Sequence, residues 1–308
     1  MTGDTARVVR CATFNVLHGR RLRQDGRPLS AHAEAAGAPL AEAVASLDAD
    51  VLALQEVDRL QERSGRIDQA AAAAAAMAAR DWRYASALHG RSIAGGGWVL
   101  DPAEPGLRMY GPEHQRESAG QRVPSQGVAL LSRLPVREWR ARRLRPAPVA
   151  VPLRVAGQPG LTLVRDQPRV ALAAVLEGPR GPFTAVAVHL SFVPGWNITQ
   201  LLTVRRWMAD LPRPHVLLGD FNLIGAIPGA VLNAAELLER CRTGSRLDAP
   251  ASRGWRDLVR TSTYPSHDPL VQFDHVLARG AGVDPVGGAR TPRAEISDHR
   301  PLVVELTL

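Results

Sequence analysis

Short apolar runs, most of them beginning or ending on a polar side chain, constrain this chain more than any other feature. The runs span 7–16, 50–57, 127–132, 169–177, 182–191, 214–221, 272–279 and 300–307. They are bounded by turn residues and have strand length, so they read as β-strands. Their polar ends are Asn15 in ATFNVLHG, Glu56 in LALQEVD, His189 in AVAVHLS, Asp220 and Asn222 in VLLGDFN, Asp274 in FDHVL, and Asp298–His299 in SDHRPLVVEL. A strand fixes the backbone while its end opens into a crevice, which is where an α/β scaffold places chemistry.

Helical patterns fall between the strands at 39–47, 67–80, 199–210 and 230–240, with Thr199 as a candidate cap for the third. The alanine run in IDQAAAAAAAMAAR has high helix propensity and reads as a packed helix. Interleaved strands and helices give an α/β fold. Many strands follow one another through short turns, so a purely parallel sheet is not expected. Two mixed β-sheets packed face to face, with helices outside, are expected. The polar ends run from residue 15 to residue 299, which argues for one domain over 1–308. Segment 91–126 reads as a long surface loop beside the site, and 141–168 as an irregular insertion containing a hairpin.

The 308 residues are 45% hydrophobic, ordinary for a chain with a real core. The formal charge is +8, and all 38 basic residues are arginine. Such a surface favours an anionic partner, nucleic acid or an acidic lipid headgroup, with a coding bias towards arginine and alanine as the equal alternative. The clusters Arg20–Arg23 and Arg137–Arg145 read as solvated faces. Two cysteines, Cys11 and Cys241, are too few for a disulfide framework, and Cys11 is expected to be a buried thiol. The MTGDTARVVR start has no signal-like pattern and no apolar run reaches about 18 residues. A cytoplasmic monomer without a transmembrane segment is therefore expected.

Asp220 and Asn222 lie two apart after a strand, so both can address one ligand while Phe221 turns into the core. Several carboxylates around one pocket repel one another unless a cation neutralises them. Oxygen-rich ligation without a cysteine cluster suits Mg²⁺ or Mn²⁺ rather than structural zinc. His189 and His299 are then available as proton donors or as charge stabilisers for a phosphoryl oxygen.

The ordered series N-V, L-Q-E-V, L-S-R-x-P, V-x-H-L, G-D-F-N, F-D-H-V and S-D-H-x-P resembles the endonuclease/exonuclease/phosphatase superfamily, with its DNase I-like fold. The resemblance covers essentially the whole chain, including GVALLSRLP and TYPSHDPLVQFDH. It implies a four-layer sandwich and a metal-dependent phosphoesterase. It also implies Glu56 as the main metal ligand, with Asn15 and Asp298 completing the metal shell or its waters. Asp220 would position or deprotonate the attacking water, and Asn222 would hold the phosphate. His299 would contact the scissile phosphate, oriented by Asp274, and His189 would assist the leaving group or the transition state.

The chain departs from the abasic-site endonucleases, which carry Q-E-T-K where this chain has Gln55-Glu56-Val57-Asp58. Base-excision repair is thereby disfavoured. Gln272 stands where an arginine often precedes the FD pair. The expected activity is hydrolysis of a phosphate ester, a phosphodiester first, with an endonuclease among the candidates. A lipid headgroup, inositol phosphate or small nucleotide is the alternative substrate, and a non-catalytic scaffold the alternative class. Trp98 and Tyr110 are the aromatic candidates in 91–126, for stacking or for packing. His18, His114 and His267 read as surface loop histidines.

Overall fold

The computed structural model describes residues 8–23, 25–27, 29, 37–93, 97–103, 106–116, 123–153, 160–243 and 254–308. The first sheet contains β1 (Val8–Asn15), β2 (Val51–Arg59), β3 (Asp81–Ile93), β4 (Gly97–Leu100), β5 (Arg108–Tyr110) and β6 (Ser125–Ser132). The second contains β7 (Val136–Leu144), β10 (Arg169–Gly178), β11 (Gly181–His189), β12 (His215–Asp220), β13 (Arg256–Asp257) and β14 (Asp274–Arg279). Between β7 and β10, β8 (Ala150–Leu153) and β9 (Thr162–Arg165) form a separate hairpin; β15 (Asp284–Pro285) and β16 (Leu302–Thr307) return to the first sheet. Strand order is β15-β16-β1-β2-β6-β3-β4, with β5 also on β3, and β13-β14-β12-β11-β10-β7. Both sheets are mixed: β1 runs parallel to β2 and antiparallel to β16, and β11 runs parallel to β12 and antiparallel to β10.

The unbroken apolar runs are strands covered on both faces, and alternation along them divides the core. In β2, Val51 and Ala53 join the inter-sheet layer while Leu52 and Leu54 face helices. In β11, Ala185 and Ala187 face the other sheet while Val186 and Val188 face helices. The inter-sheet layer is rich in alanine, with Ala53, Ala85, Ala87, Ala174, Ala185, Ala187 and Ala278 all buried there. Helices α1 (Ala38–Leu47) and α2 (Gln69–Met77) cover the first sheet through Leu40, Val44, Leu47, Ala73 and Met77. Helices α3 (Trp196–Trp207) and α4 (Ile227–Thr243) cover the second through Leu201, Val204 and Leu232. The four layers expected from the sequence are present. Among the described residues, no helix is long and apolar enough to cross a membrane.

Local expectations needed correction in several places. Thr199 does not cap α3: Gly195 takes the N-cap position, and the Thr199 hydroxyl lies inside the first turn, donating to the Gly195 carbonyl at 3.2 Å. Helix α2 starts from Asp68, whose carboxylate accepts from Ala71 N–H at 3.0 Å, and stops at Ala78 in the left-handed region. Segment 91–126 is not a plain loop: β3 runs on to Ile93 and β4 and β5 pair with it. Tyr110 is buried against Tyr84, so it packs the core. Residues 136–144 form edge strand β7, while the hairpin expected within 141–168 is β8–β9.

Candidate active site

Hydrogen-bond register sets one wall of the site. His189 is the parallel partner of Asp220, and Asp220 is the antiparallel partner of Asp274, so three functional residues form one row across β11, β12 and β14. Gly219 permits this close pairing, since a Cβ there would lie 2.0 Å from the Val188 carbonyl oxygen. The opposite wall comes from the first sheet. Asn15 ends β1, and Glu56 sits in a bulge where the β2–β6 register shifts between Leu54 and Val57. Glu56 has φ 55°, a left-handed conformation that costs a non-glycine residue about 1–3 kcal/mol. The bulge re-aims its carboxyl towards the other sheet.

The walls meet at Asn15 and Asp220. Asn15 Nδ2 donates to Asp220 Oδ2 at 3.1 Å and to Glu56 Oε1 at 3.4 Å, while Asn15 Oδ1 accepts from Leu17 N–H at 3.1 Å. Asp220 Oδ1 accepts from Asn222 N–H at 2.9 Å. Its Oδ2 lies 3.7 Å from His189 Nε2 and 3.8 Å from His299 Nε2. Burial raises the Asp220 carboxyl to about 6; His299 opposes that rise and Asp274 adds to it.

Asp274 and His299, 25 positions apart in sequence, are bonded directly: Asp274 Oδ2 accepts from His299 Nδ1 at 2.8 Å and from Thr263 Oγ1 at 2.6 Å. Burial alone would push this imidazole down, but Asp274, with Asp220 and Asp298 near, raises it to about 10. The turn before His299 is tied to β1, because Ser297 Oγ donates to the Asn15 carbonyl at 2.5 Å and accepts from His299 N–H at 3.1 Å.

His189 has a different partner. Arg169 Nη1 lies 3.0 Å from Nδ1 and 3.1 Å from Nε2, so the guanidinium rests against the ring rather than on either lone-pair axis. Burial first, then Arg169 and His299, hold His189 well below the usual imidazole range. Arg169 was not among the residues expected from the sequence. Its signal was the same as theirs, a polar residue at the edge of an apolar run, but a strand-initial arginine reads as solvated.

The expected residues thus converge, with one difference in detail. The Asn222 side chain donates from Nδ2 to the Leu190 carbonyl at 3.0 Å and fixes the end of β11. Phe221 is buried as expected. Of the loop histidines, His267 is exposed, whereas His18 is half-buried and His114 accepts from Gly111 N–H at 3.1 Å.

Among the described residues, Asp220, Asp274 and His299 place ligand atoms within 4.8 Å of one another. Asp274 Oδ2 and His299 Nδ1 already bond each other, so this group is a hydrogen-bonded unit before it is a metal site. Glu56, beside the Asn15 amide at 3.4 Å, and Asp298, which acts on it electrostatically, offer further oxygens. Burial raises the Glu56 carboxyl, Asp298 raises it further, and Arg169 only partly offsets them. Crowded acids lacking a full counter-charge fit a hard divalent cation.

A buried pair supports the Asp220–Asn222 turn from behind. His275 places Nδ1 3.1 Å from Asp257 Oδ2 and Nε2 2.8 Å from the Leu223 carbonyl, with no exposed surface. The ring is thereby tied on one side to the Asp257 carboxyl and on the other to the backbone of the turn. His275→Leu would leave the buried Asp257 carboxyl and the Leu223 carbonyl without this partner and is expected to cost about 1–3 kcal/mol, read as a lower urea midpoint. A loss below about 1 kcal/mol would show that the pair does not hold the turn.

Residues 12–299 match the model of the Endonuclease/Exonuclease/phosphatase family. No curated protein matches the chain in sequence. Among solved structures, an endonuclease/exonuclease/phosphatase from Beutenbergia cavernae aligns with TM-score 0.55 and 20% identity, over 97% of this chain and 71% of that one. A protein of the same description from Bacteroides vulgatus aligns with TM-score 0.54 and 17% identity, over 97% and 98%. A mannosyl-6-phosphatase from Bacteroides thetaiotaomicron aligns with TM-score 0.51 and 13% identity, over 97% and 99%. At these identities the structural likeness speaks for the fold; the match over nearly the whole chain speaks for descent, and this protein belongs to the Endonuclease/Exonuclease/phosphatase family.

Proposed function

We propose that the protein is a divalent-metal-dependent phosphodiesterase that hydrolyses a P–O bond by in-line attack of water. The observation that carries this reading is the opposition of Glu56 and Asn15 on one sheet to the row His189, Asp220 and Asp274 on the other, with His299 beside Asp220. The oxygen set of Glu56, Asp298 and Asn15 would hold Mg²⁺ or Mn²⁺. A cation bound there supplies charge neutralisation for the phosphoryl oxygens.

The chain's own residues divide the remaining work. Asp220, with a carboxyl near 6, is a carboxylate at neutral pH and takes the proton of the attacking water. His299, held cationic by Asp274, lies beside it and neutralises charge growing on a phosphoryl oxygen. Arg169 offers a permanent positive charge on the far side, in a cleft that it lines with Glu56, Gln126, Gln167 and His189. A neutral His189 then serves as a hydrogen-bonding partner of the leaving group, not as a strong acid. Asn222 acts through the turn that it fixes. The +8 charge supports an anionic substrate, nucleic acid included. The completeness of the site supports catalysis over a scaffold role.

Hydrolysis of bis-p-nitrophenyl phosphate with Mg²⁺ or Mn²⁺ tests this reading. Asp274→Asn and His299→Ala are each expected to lower kcat by about 10²–10⁴. The double variant should lose at most about tenfold more, since residues acting as one unit are not additive. Fully multiplicative losses would separate the two residues. Lack of hydrolysis of any phosphodiester by the wild type would remove the assignment.

A further inference from the structure

Two hairpins leave the sandwich beside the cleft. In the first, β4 pairs only with the end of β3 and leaves Ile93, Val99 and Leu100 exposed by 51, 60 and 59%. In the second, β8 and β9 form a two-stranded sheet of their own, with Val149, Leu161 and Leu163 exposed by 55, 66 and 71%. Each is rooted at the site. Leu88 of β3 lines the cleft with Gln126. Asp166, the residue after β9, accepts from Ala147 N–H at 2.8 Å and from Ser191 Oγ at 2.7 Å, and lies 3.7 Å from Arg169.

An isolated two-stranded hairpin is marginal in water, and large aliphatic residues this exposed on both sides of a cleft mark a surface that meets something apolar. What it meets is indicated by the arginines beside these side chains, Arg91 standing opposite Val99 and Arg165 opposite Ala150. Arg91, Arg143, Arg145 and Arg165 are exposed, and among the described residues none of the four forms an ion pair. Exposed aliphatic side chains interspersed with unpaired arginines fit an anionic bilayer interface, with the aliphatic side chains at the acyl boundary and the guanidinium groups at lipid phosphates. A second copy of the chain would oppose one cationic surface to another. Nucleic acid would want stacking rings, and Trp98, the indole of β4, has the Arg63 guanidinium over it at 5.4 Å.

We propose that these two hairpins dock the protein on an anionic phospholipid surface, with the cleft turned towards the headgroup phosphates. Docking requires no hydrolysis, so it stands or falls separately from the phosphodiesterase reading.

Co-sedimentation of the full chain with phosphatidylcholine vesicles, with and without phosphatidylglycerol, tests it. The wild type is expected to bind the anionic vesicles and to bind pure phosphatidylcholine much more weakly. Leu161→Ser with Leu163→Ser should weaken anionic-vesicle binding by about tenfold or more, while hydrolysis of a soluble diester stays unchanged and certifies the fold. Arg143→Gln, Arg145→Gln and Arg165→Gln together should remove the preference for the anionic vesicles. Absence of wild-type binding, or binding insensitive to the leucine changes, would overturn the proposal. So would a dimer in vesicle-free solution that the leucine changes dissolve, which would give these faces to a second copy.

Discussion

Chelating divalent cations is expected to abolish hydrolysis, and adding Mg²⁺ or Mn²⁺ to restore it. Asp298 raises the Glu56 carboxyl, Asn15 links Glu56 to Asp220, and an incoming phosphate adds to the same sign of charge. His299 and Arg169 are the cations at hand. His299 is already committed to Asp274, and Arg169 lies against His189. Without a metal the substrate meets a repulsive wall. Glu56→Gln should reproduce most of the effect by removing one charged oxygen. It should also diminish the rise in Tm that Mg²⁺ or Mn²⁺ produces in the wild type, since a ligand bound only to the native state stabilises it. Full activity in excess EDTA would contradict the donor set assigned to Glu56, Asp298 and Asn15.

Asp220→Asn is expected to lower kcat by about 10²–10⁴ while leaving the fold intact, because the amide retains an oxygen for Asn222 N–H. The pH profile separates a proton acceptor from a mere spacer. Burial raises the wild-type carboxyl to about 6, so the base form appears, and activity rises, as pH climbs through that value. At the other end, His299 is raised to about 10 chiefly by Asp274, so its positive charge, and the activity that needs it, is lost as pH climbs through about 10. Asp220→Asn should erase the acid limb from its residual activity. Asp274→Asn should instead move the alkaline limb to lower pH, because the carboxylate that holds the proton on His299 is gone. An acid limb that survives in Asp220→Asn would assign it to another group.

Much of this was legible in the sequence, for a physical reason. Strands buried on both faces must be written as continuous apolar runs, so a charged or amide residue at the end of one stands out. That makes Asn15, Glu56, His189, Asp220, Asp274 and Asp298–His299 visible in the sequence itself. What stayed hidden lies where burial is one-sided or local geometry decides. Edge strand β7 pairs along one side only, and its VREWRARRL sequence reads as a cluster of solvated arginines. The far half of β3 carries His89, Gly90, Arg91 and Ser92 because it continues past the sandwich into a hairpin. The bulge at Glu56 follows from how β2 and β6 fall out of register, which no pattern within β2 alone encodes. His275 was visible in FDHV, but its partners Asp257 and Leu223 belong to other parts of the chain.

The alanines between the two sheets have a consequence for how such a fold can diversify. The site is a seam: one lip belongs to each sheet, and the 3.1 Å contact from Asn15 to Asp220 crosses it. The separation of the lips is therefore set by the thickness of the filling behind them. Ala187, buried in that filling two residues before His189, acts as a shim. A methyl-sized filling holds the lips close, whereas a larger side chain there would wedge the sheets apart and widen the aperture without altering any residue that touches substrate. The gauge of the opening is thus written in the interior of the molecule, and a lineage adapting to a bulkier ester could change it by interior substitutions while every residue of the seam stays as it is.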